Sequence, residues 1–239
     1  MLISFRHLLL PGAVSLALPA LADDLASPRD TAKAAAFDIL AARVSRNGDS
    51  ITFHMSVAGE AGTEKPAATG ALGGASVHAY VWSVTVDPAT VGFEGGTGIL
   101  ALAATAHPDF DDTPLYDENG DGDKANDGGG WHSHWVVLAP TDSCGPGALA
   151  VRDIPEGEKP ALPATWPGLP IFIDSPGYRP EFNGPEITVT VPLEIPDGAG
   201  FDGVTSALRV NANVHAPLLC VTDVFDVASG DLSLTGMIE

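Results

Sequence analysis

The sequence predicts an all-β protein in which two antiparallel sheets pack face to face as a β-sandwich, with a closed β-barrel as the alternative. Three observations lead to this fold class. Runs of β-branched and aromatic residues recur at short intervals along the 239-residue chain. Clusters of Gly, Pro, Asn and Asp separate these runs, and the chain contains 27 glycines and 20 prolines. No segment repeats apolar residues at the spacing of an amphipathic helix.

The N-terminus has the features of an export signal. Arg6 and His7 precede an apolar stretch at 8–18, and Ala20-Leu21-Ala22 stands just before two aspartates. Residues 1–22 are therefore predicted to be a signal peptide cleaved after Ala22, which places the mature protein in the periplasm or outside the cell. We expect no membrane insertion after cleavage. Residues 23–36 are predicted to be a linker, and residues 37–239 a single β-sandwich domain.

The first folded element is predicted to be a hairpin. Residues 37–45 and 50–57 flank Arg46-Asn47-Gly48-Asp49, and Asn-Gly between apolar runs is a strong hairpin signal. The further predicted strands are 76–86, 98–105, 132–138, 148–152, 171–174, 186–193, 207–214, 218–225 and 231–234.

The charge and the cysteines limit the possible partners. With 31 acidic against 11 basic residues, the chain carries a formal charge of −20, which repels nucleic acid and favours metal cations as partners. The two cysteines, Cys144 and Cys220, are predicted to form a disulfide in an oxidising compartment. The alternative, a pair of thiolate metal ligands, is less favoured because neither belongs to a Cys-x-x-Cys pair.

A long acidic loop, residues 107–130, carries eight carboxylates and a single lysine. Its segment Asp117-Glu118-Asn119-Gly120-Asp121-Gly122-Asp123 resembles the first half of EF-hand, dockerin and thrombospondin type 3 calcium loops. Gly128 stands where an EF-hand has its bidentate Glu, so Asp127, or one of Asp109, Asp111 and Asp112, would have to complete the shell. The alternative is a solvated loop that holds no ion. The predicted calcium ligands are Asp117, Asn119, Asp121, Asp123 and Asp127.

A pair of histidines follows this loop. In the predicted strand 132–138 a period of two places His132 and His134 on one face with their rings adjacent. Paired imidazoles suit Zn²⁺ or Cu²⁺, which need further ligands from elsewhere in the fold. The same alternation at 211–215 makes His215 the first choice for a third ligand, followed by His78 and His107. The alternative is a solvated sheet face on which the pair binds no metal.

These features favour a binding protein over an enzyme. The chain contains no G-x-S-x-G, Ser-x-x-Lys or H-E-x-x-H motif and no phosphate-binding glycine loop. The leading hypothesis is an exported metal-binding protein that holds Zn²⁺ or Cu²⁺ at the histidines, has a calcium-binding loop, and acts in metal capture or delivery.

Two other functions stay open. The segments 37–53 and 223–226 resemble the opening hairpin and closing strand of DOMON-like and carbohydrate-binding β-sandwich modules of exported proteins. That resemblance implies a haem or sugar ligand with structural Ca²⁺, and haem would need axial ligands such as Met55 with a histidine. A metal-dependent hydrolase or oxidase would use the same histidines with an open coordination position.

Overall fold

A computed structural model describes residues 24–239, so the predicted signal peptide lies outside the described residues. Within residues 24–239 the chain forms thirteen strands, all paired antiparallel, and three 3₁₀ helices at Pro88–Val91, Asp127–Gly129 and Asp142–Cys144. The strands are β1 (Leu25–Ala26), β2 (Ile39–Asn47), β3 (Ser50–Val57), β4 (Ser76–Val84), β5 (Ile99–Ala106), β6 (His132–Pro140), β7 (Leu149–Val151), β8 (Ile173–Asp174), β9 (Glu181–Asn183), β10 (Glu186–Val191), β11 (Gly200–Val210), β12 (Leu219–Val227) and β13 (Gly236–Met237).

The strands form a closed barrel with a second sheet packed against it. In the larger sheet the order is β12-β7-β6-β5-β4-β11, and β11 pairs with β12 to close a ring of six strands. Strands β13 and β8 attach to β11 and β6. The smaller sheet has the order β1-β2-β3-β10-β9. The all-β prediction is confirmed, in the barrel form that the sequence analysis held as the alternative.

The barrel is strongly staggered. The paired residues, followed around the ring from Val210 at the end of β11, lead back to the beginning of the same strand near Phe201. Such a stagger requires the strands to tilt, and a tilted strand occupies more of the circumference than an upright one. The six strands therefore enclose a wider interior than their number alone would give.

Side chains that point out of the barrel on one side form the main core against the smaller sheet. The ring of Phe53 on β3 lies 6.0 Å from that of Trp82 on β4 and 5.8 Å from that of Trp135 on β6. All three are fully buried. Because successive residues of a strand face opposite sides of a sheet, His134 and Val136, the neighbours of Trp135, point into the barrel.

The interior of the barrel contains a second apolar cluster, whose side chains do not fill the whole space. Val81, Val136 and Leu208 belong to this cluster. Smaller residues, among them Ala103 and Ser206, also face inward and leave a cavity of about 230 Å³. This cavity is bordered by His134 of β6.

The predicted elements agree with the observed ones in most places. The first hairpin is confirmed as β2 and β3, and Gly48 in its turn has a φ of 62°, which glycine adopts without strain. The prediction for 207–214 is wrong beyond Val210, where β11 ends. The strand expected at 231–234 lies instead at Gly236–Met237, and β9 was not predicted.

The segment predicted as a linker is part of the fold. Leu25 and Ala26 pair with β2, and the ammonium group of Lys33 lies 2.7 Å from the buried carboxylate of Asp226 on β12. Among the residues that the structure describes, no helix has the length and apolar content needed to cross a membrane.

The predicted disulfide is confirmed. Cys144, in the 3₁₀ helix that follows β6, is bonded to Cys220 on β12, and 76 positions of sequence separate the two residues. The bond joins parts of the chain that are on different sides of β7 in the barrel. A cross-link that closes so long a loop restricts the unfolded chain more than the folded one.

Replacing both cysteines, as Cys144→Ala/Cys220→Ala, is expected to lower the free energy of unfolding by about 2–4 kcal/mol, because the unfolded chain regains its freedom. Urea unfolding followed by tryptophan fluorescence measures the change, with the dithiothreitol-reduced wild type as a second sample. An unfolding midpoint equal to that of the oxidised wild type would contradict this prediction.

Candidate metal centre

Two neighbouring barrel strands and the loop between them bring four metal-ligating side chains together. His132 and His134 begin β6, and both are buried on its inner face. His107 comes directly after the end of β5. Within β5, Thr105 pairs with His132. The acidic loop then folds back so that Asp112 lies against the three imidazoles. The pairing of β5 with β6 is therefore what assembles the cluster.

The ligating atoms of His107, Asp112, His132 and His134, which we call the His₃Asp cluster, all lie within 4.8 Å of one another. Nε2 of His107 is 2.8 Å from Nε2 of His132, and Oδ1 of Asp112 is 3.0 Å and 3.2 Å from these two atoms. Oδ2 of Asp112 is 3.4 Å from Nε2 of His134. Ligands bound to one ion at roughly 2.0–2.2 Å stand about 3.3 Å apart, so the spacing fits a shared ion.

Hydrogen bonds behind the cluster fix two of the rings. Nδ1 of His107 lies 3.0 Å from the carbonyl oxygen of Phe110, and the two rings stack with centroids 4.1 Å apart. Nδ1 of His134 lies 3.2 Å from the carbonyl oxygen of Asp174, which β8 places there. Because a carbonyl can only accept, both Nδ1 atoms carry the hydrogen. In the neutral imidazoles both Nε2 atoms therefore present a lone pair to the cluster, as metal-binding histidines do.

The third ring faces a carboxyl group. Nδ1 of His132 lies 3.8 Å from Oε2 of Glu118 in the acidic loop. Burial raises the pKa of Glu118 to about 7, and nearby carboxylates act in the same direction. A cation shared by the imidazoles would favour the ionised form of this carboxyl, which faces Nδ1 of His132 just beyond hydrogen-bond distance. Glu118 is thus placed as an outer partner of the site.

The electrostatics of the cluster favour the metal-binding forms of Asp112 and His132, whereas His134 would have to release a proton to bind a cation. Burial alone would raise the pKa of the Asp112 carboxyl, but the imidazoles of His134 and His107 outweigh it and hold the pKa well below its usual range. Burial lowers the pKa of His132 to about 4. Burial also opposes the charged form of His134, but the Asp112 carboxylate outweighs it and raises the pKa of that imidazole. An ionised carboxylate and a neutral His132 are the forms in which these groups bind metals.

Several polar atoms of the cluster are left without a hydrogen bond. Within residues 24–239 these include Oδ1 of Asp112, Nδ1 of His132 and Nε2 of His134, all fully buried. A buried polar atom with no partner costs about 1–3 kcal/mol, and three in one place are uncommon. The side chains of the His₃Asp cluster could hold a metal ion, which would give the lone pairs of Asp112 and His134 a partner.

The structure corrects the choice of the third histidine. His132 and His134 lie side by side, with ring centroids 4.8 Å apart, and His107 joins them. His215 is exposed in the loop between β11 and β12, and His78 packs edge-on against the stacked rings of Phe37 and Phe225. Neither belongs to the cluster.

The sequence predicted Asp112 only as a possible calcium ligand, and its place beside the three histidines was missed. One signal was available. It stands five positions after His107, close enough for the loop to return it to the same place.

The acidic loop around the predicted calcium ligands is held together by its own backbone. Asp117 accepts from the N–H groups of Gly120 and Gly122, and the buried Asp127 accepts from those of Glu118 and Asn119. The side chains of Asn119, Asp121 and Asp123 each accept from the backbone N–H group two residues later. The calcium site stays a prediction.

No family model, curated protein or solved structure matches the chain. The resemblance to DOMON-like and carbohydrate-binding modules therefore stays an expectation from sequence. Met55, the residue considered for haem, is fully buried in the core between the two sheets. Fold and site together define a β-barrel protein with a buried His₃Asp cluster, and function has to be inferred from that site.

Gly128 is predicted to be required for the shape of the site. A Cβ at this position would lie 1.8 Å from the carbonyl oxygen of Phe110, the acceptor for His107. We expect Gly128→Ala to lower the free energy of unfolding by about 1–3 kcal/mol, because the backbone must move to relieve the overlap. Urea unfolding of the metal-free protein measures this change.

Gly129→Ala is the matched control, since a Cβ there meets nothing within 4 Å. It should change the free energy of unfolding by no more than about 0.5 kcal/mol, as exposed substitutions usually do. Equal effects of the two substitutions would show that the contact with Phe110 does not matter.

Proposed function

We propose that this protein is an exported metal-binding protein that holds one transition-metal ion, Zn²⁺ or Cu²⁺, at the His₃Asp cluster. The observation that carries the proposal is the convergence of the lone pairs of His107 and His134, fixed from behind, with the Asp112 carboxylate. Three imidazole nitrogens and one carboxylate oxygen form a ligand set that suits Zn²⁺ and Cu²⁺. Hard cations such as Ca²⁺ take oxygen ligands, so nitrogen dominance disfavours them here.

The burial of the cluster supports a role in capture or delivery. His107, His132 and His134 are at most 1% exposed and Asp112 is 4% exposed, so an ion held there would be shielded from competing ligands in solution. His107, Asp112 and His134 also border the cavity inside the barrel. A coordination position open toward that cavity is what a metal-dependent hydrolase or oxidase would need, and this observation keeps catalysis as the second candidate function.

Export is the part of the proposal that rests on the sequence. The predicted signal peptide and the disulfide between Cys144 and Cys220 agree with each other, because disulfides persist in oxidising compartments. Periplasmic or secreted localisation also fits an acidic protein that gathers cations.

We expect the wild-type protein to bind one equivalent of Zn²⁺ or Cu²⁺ and His132→Ala/His134→Ala to lose it. The affinity should fall by more than about 100-fold, since even the loss of an outer-shell partner costs 10–100-fold. Elemental analysis of protein purified from its native compartment, and calorimetric titration of chelator-treated protein, measure occupancy and affinity.

The matched control is His78→Ala/His215→Ala, which removes two imidazoles that lie outside the cluster. This variant should bind metal as the wild type does, and unfolding curves of the metal-free variants check that both are folded. Equal metal content in the two double variants would refute the proposed site.

Calcium binding by the acidic loop is a separate proposal, supported by the alternation of Asp117, Asn119 and Asp121. If it is correct, titration of EGTA-treated protein with Ca²⁺ should release or absorb heat equally in the wild type and in His132→Ala/His134→Ala. The absence of heat at millimolar Ca²⁺ would end this proposal and leave the histidine site unaffected.

A further inference from the structure

The cavity inside the barrel leads from the solvent to the His₃Asp cluster. Its walls are inward-facing apolar side chains of the strands, such as Val81, Val136 and Leu208. At one end it is bordered by His107, Asp112 and His134. An apolar space that ends at convergent polar groups is the usual form of a small-molecule site.

The entrance of the cavity is apolar as well. Leu72, Val214, Val224 and Leu232 all border the cavity, and between 37% and 50% of each residue is exposed to solvent. Leu72, Val214 and Leu232 lie in three different loops, and Val224 lies in β12. Only three other large hydrophobic residues in the described part of the chain are equally exposed. Exposed apolar side chains grouped around an opening mark a binding surface for an apolar molecule.

The backbone at this entrance is held in unusual conformations. Val214 has a φ of 54° and Leu232 a φ of 59°, values that a residue with a Cβ rarely adopts and a β-branched one hardly at all. Gly73 lets the neighbouring loop approach, since a Cβ there would lie 2.5 Å from the carbonyl oxygen of Ala212. Strain of this kind is often found at ligand clamps.

The metal end of the cavity has polar atoms that lack partners. Nε2 of His134 lacks a hydrogen bond but would be occupied by the metal ion, whereas Oγ1 of Thr105, which also borders the cavity, is buried and would still lack a partner. Buried polar atoms without partners are uncommon, so the Thr105 hydroxyl beside the metal end of an apolar space points to a ligand with a polar head.

From these observations we propose that the cavity binds a small amphipathic molecule with an aliphatic tail and an anionic oxygen head, such as a medium-chain carboxylate. This inference rests on the proposed function, because the head group coordinates the metal ion of the His₃Asp cluster. An anionic oxygen is a ligand that Zn²⁺ accepts beside imidazole nitrogens, and the cavity brings the head group to the side of the cluster formed by His107, Asp112 and His134. The tail occupies the apolar interior of the barrel, and its end points toward the entrance at Val224 and Leu232.

The size of the cavity limits the tail. Its volume of about 230 Å³ is half again that of the roughly 150 Å³ engineered cavity that holds benzene. A chain of about eight carbons fills such a space at a similar packing. Within this length each added methylene should strengthen binding about fourfold, and beyond it the gain should stop because the tail reaches solvent.

The experiment is a calorimetric titration of the Zn²⁺-loaded full chain with hexanoate, octanoate and dodecanoate. Octylamine, which has the same tail as octanoate and a cationic head, is the matched ligand control. The same titrations of chelator-treated protein, with Zn²⁺ content measured on each sample, separate metal binding from ligand binding. In a Co²⁺-loaded sample, octanoate should change the visible absorption spectrum because its oxygen enters the coordination shell.

Val224→Asp tests the entrance, and Met237→Asp is its control. Both side chains are exposed, at 50% and 41%, and both substitutions add one negative charge, but only Val224 borders the cavity. Val224→Asp should weaken octanoate binding by about tenfold or more, because the charge must lose water at an apolar entrance. Met237→Asp should leave it unchanged, and both variants should keep their Zn²⁺.

Binding of octanoate that depends on metal, excludes octylamine and changes the Co²⁺ spectrum would support the inference. Zn²⁺ binding without octanoate binding would overturn it and leave the proposed function intact. Octanoate binding that is equal with and without metal, or an unchanged Co²⁺ spectrum, would overturn the coordination of the head group. Failure of both Zn²⁺ and Cu²⁺ to bind would overturn the proposed function and this inference together.

Discussion

The structure depends on one constraint, the burial of three imidazoles and a carboxylate at the same point inside a β-barrel. Polar groups of this kind are costly in a protein interior unless each finds a partner. The fold supplies partners on the outer side of the cluster, through the carbonyl oxygens of Phe110 and Asp174. On the inner side the lone pairs of the neutral imidazoles and the carboxylate face each other. They repel one another without a bound ion, and a cation between them would remove that repulsion. The site and the fold around it are therefore a single arrangement, in which the acidic loop is held down by contacts with the cluster.

Strand β6 serves both the stability of the fold and the site, because its two faces have different neighbours. The residues that point outward, Trp135 and Val137, belong to the core between the barrel and the smaller sheet. The residues that point inward, His132 and His134, belong to the cluster, and Val136 and Leu138 follow them into the apolar interior.

A shift of one residue in the pairing of β6 with β5 would exchange the two faces, so the core between the sheets fixes the register on which the site depends. The same alternation leaves small residues such as Ala103 facing inward, and these create the space that leads to the cluster.

Much of the fold could be predicted because its signals are local. The Asn-Gly turn gave the first hairpin, and the period of two on β6 placed His132 beside His134, since a strand fixes the relation of residues two positions apart. The disulfide followed from the presence of two cysteines and from the predicted compartment. Errors arose where a local pattern continued past the end of an element. The alternation around His215 continues the pattern of β11, but the chain turns after Val210, where the side chain of Asn211 accepts from the backbone of Asn213. His215 is therefore carried to the surface.

The sequence by itself determined the class of fold, the adjacency of one histidine pair and the excess of carboxylates near it, because these depend on strand periodicity, turn chemistry and composition. Only the tertiary structure decided that the larger sheet closes on itself, that His107 and Asp112 are the partners of that pair, and that an open space reaches them. Those outcomes depend on which strands pair across long sequence separations and on how a loop folds back, and they are set by the packing of the whole chain. The period of two in a strand predicts which residues share a face. Which side chains lie opposite that face depends on how the six strands close into a barrel.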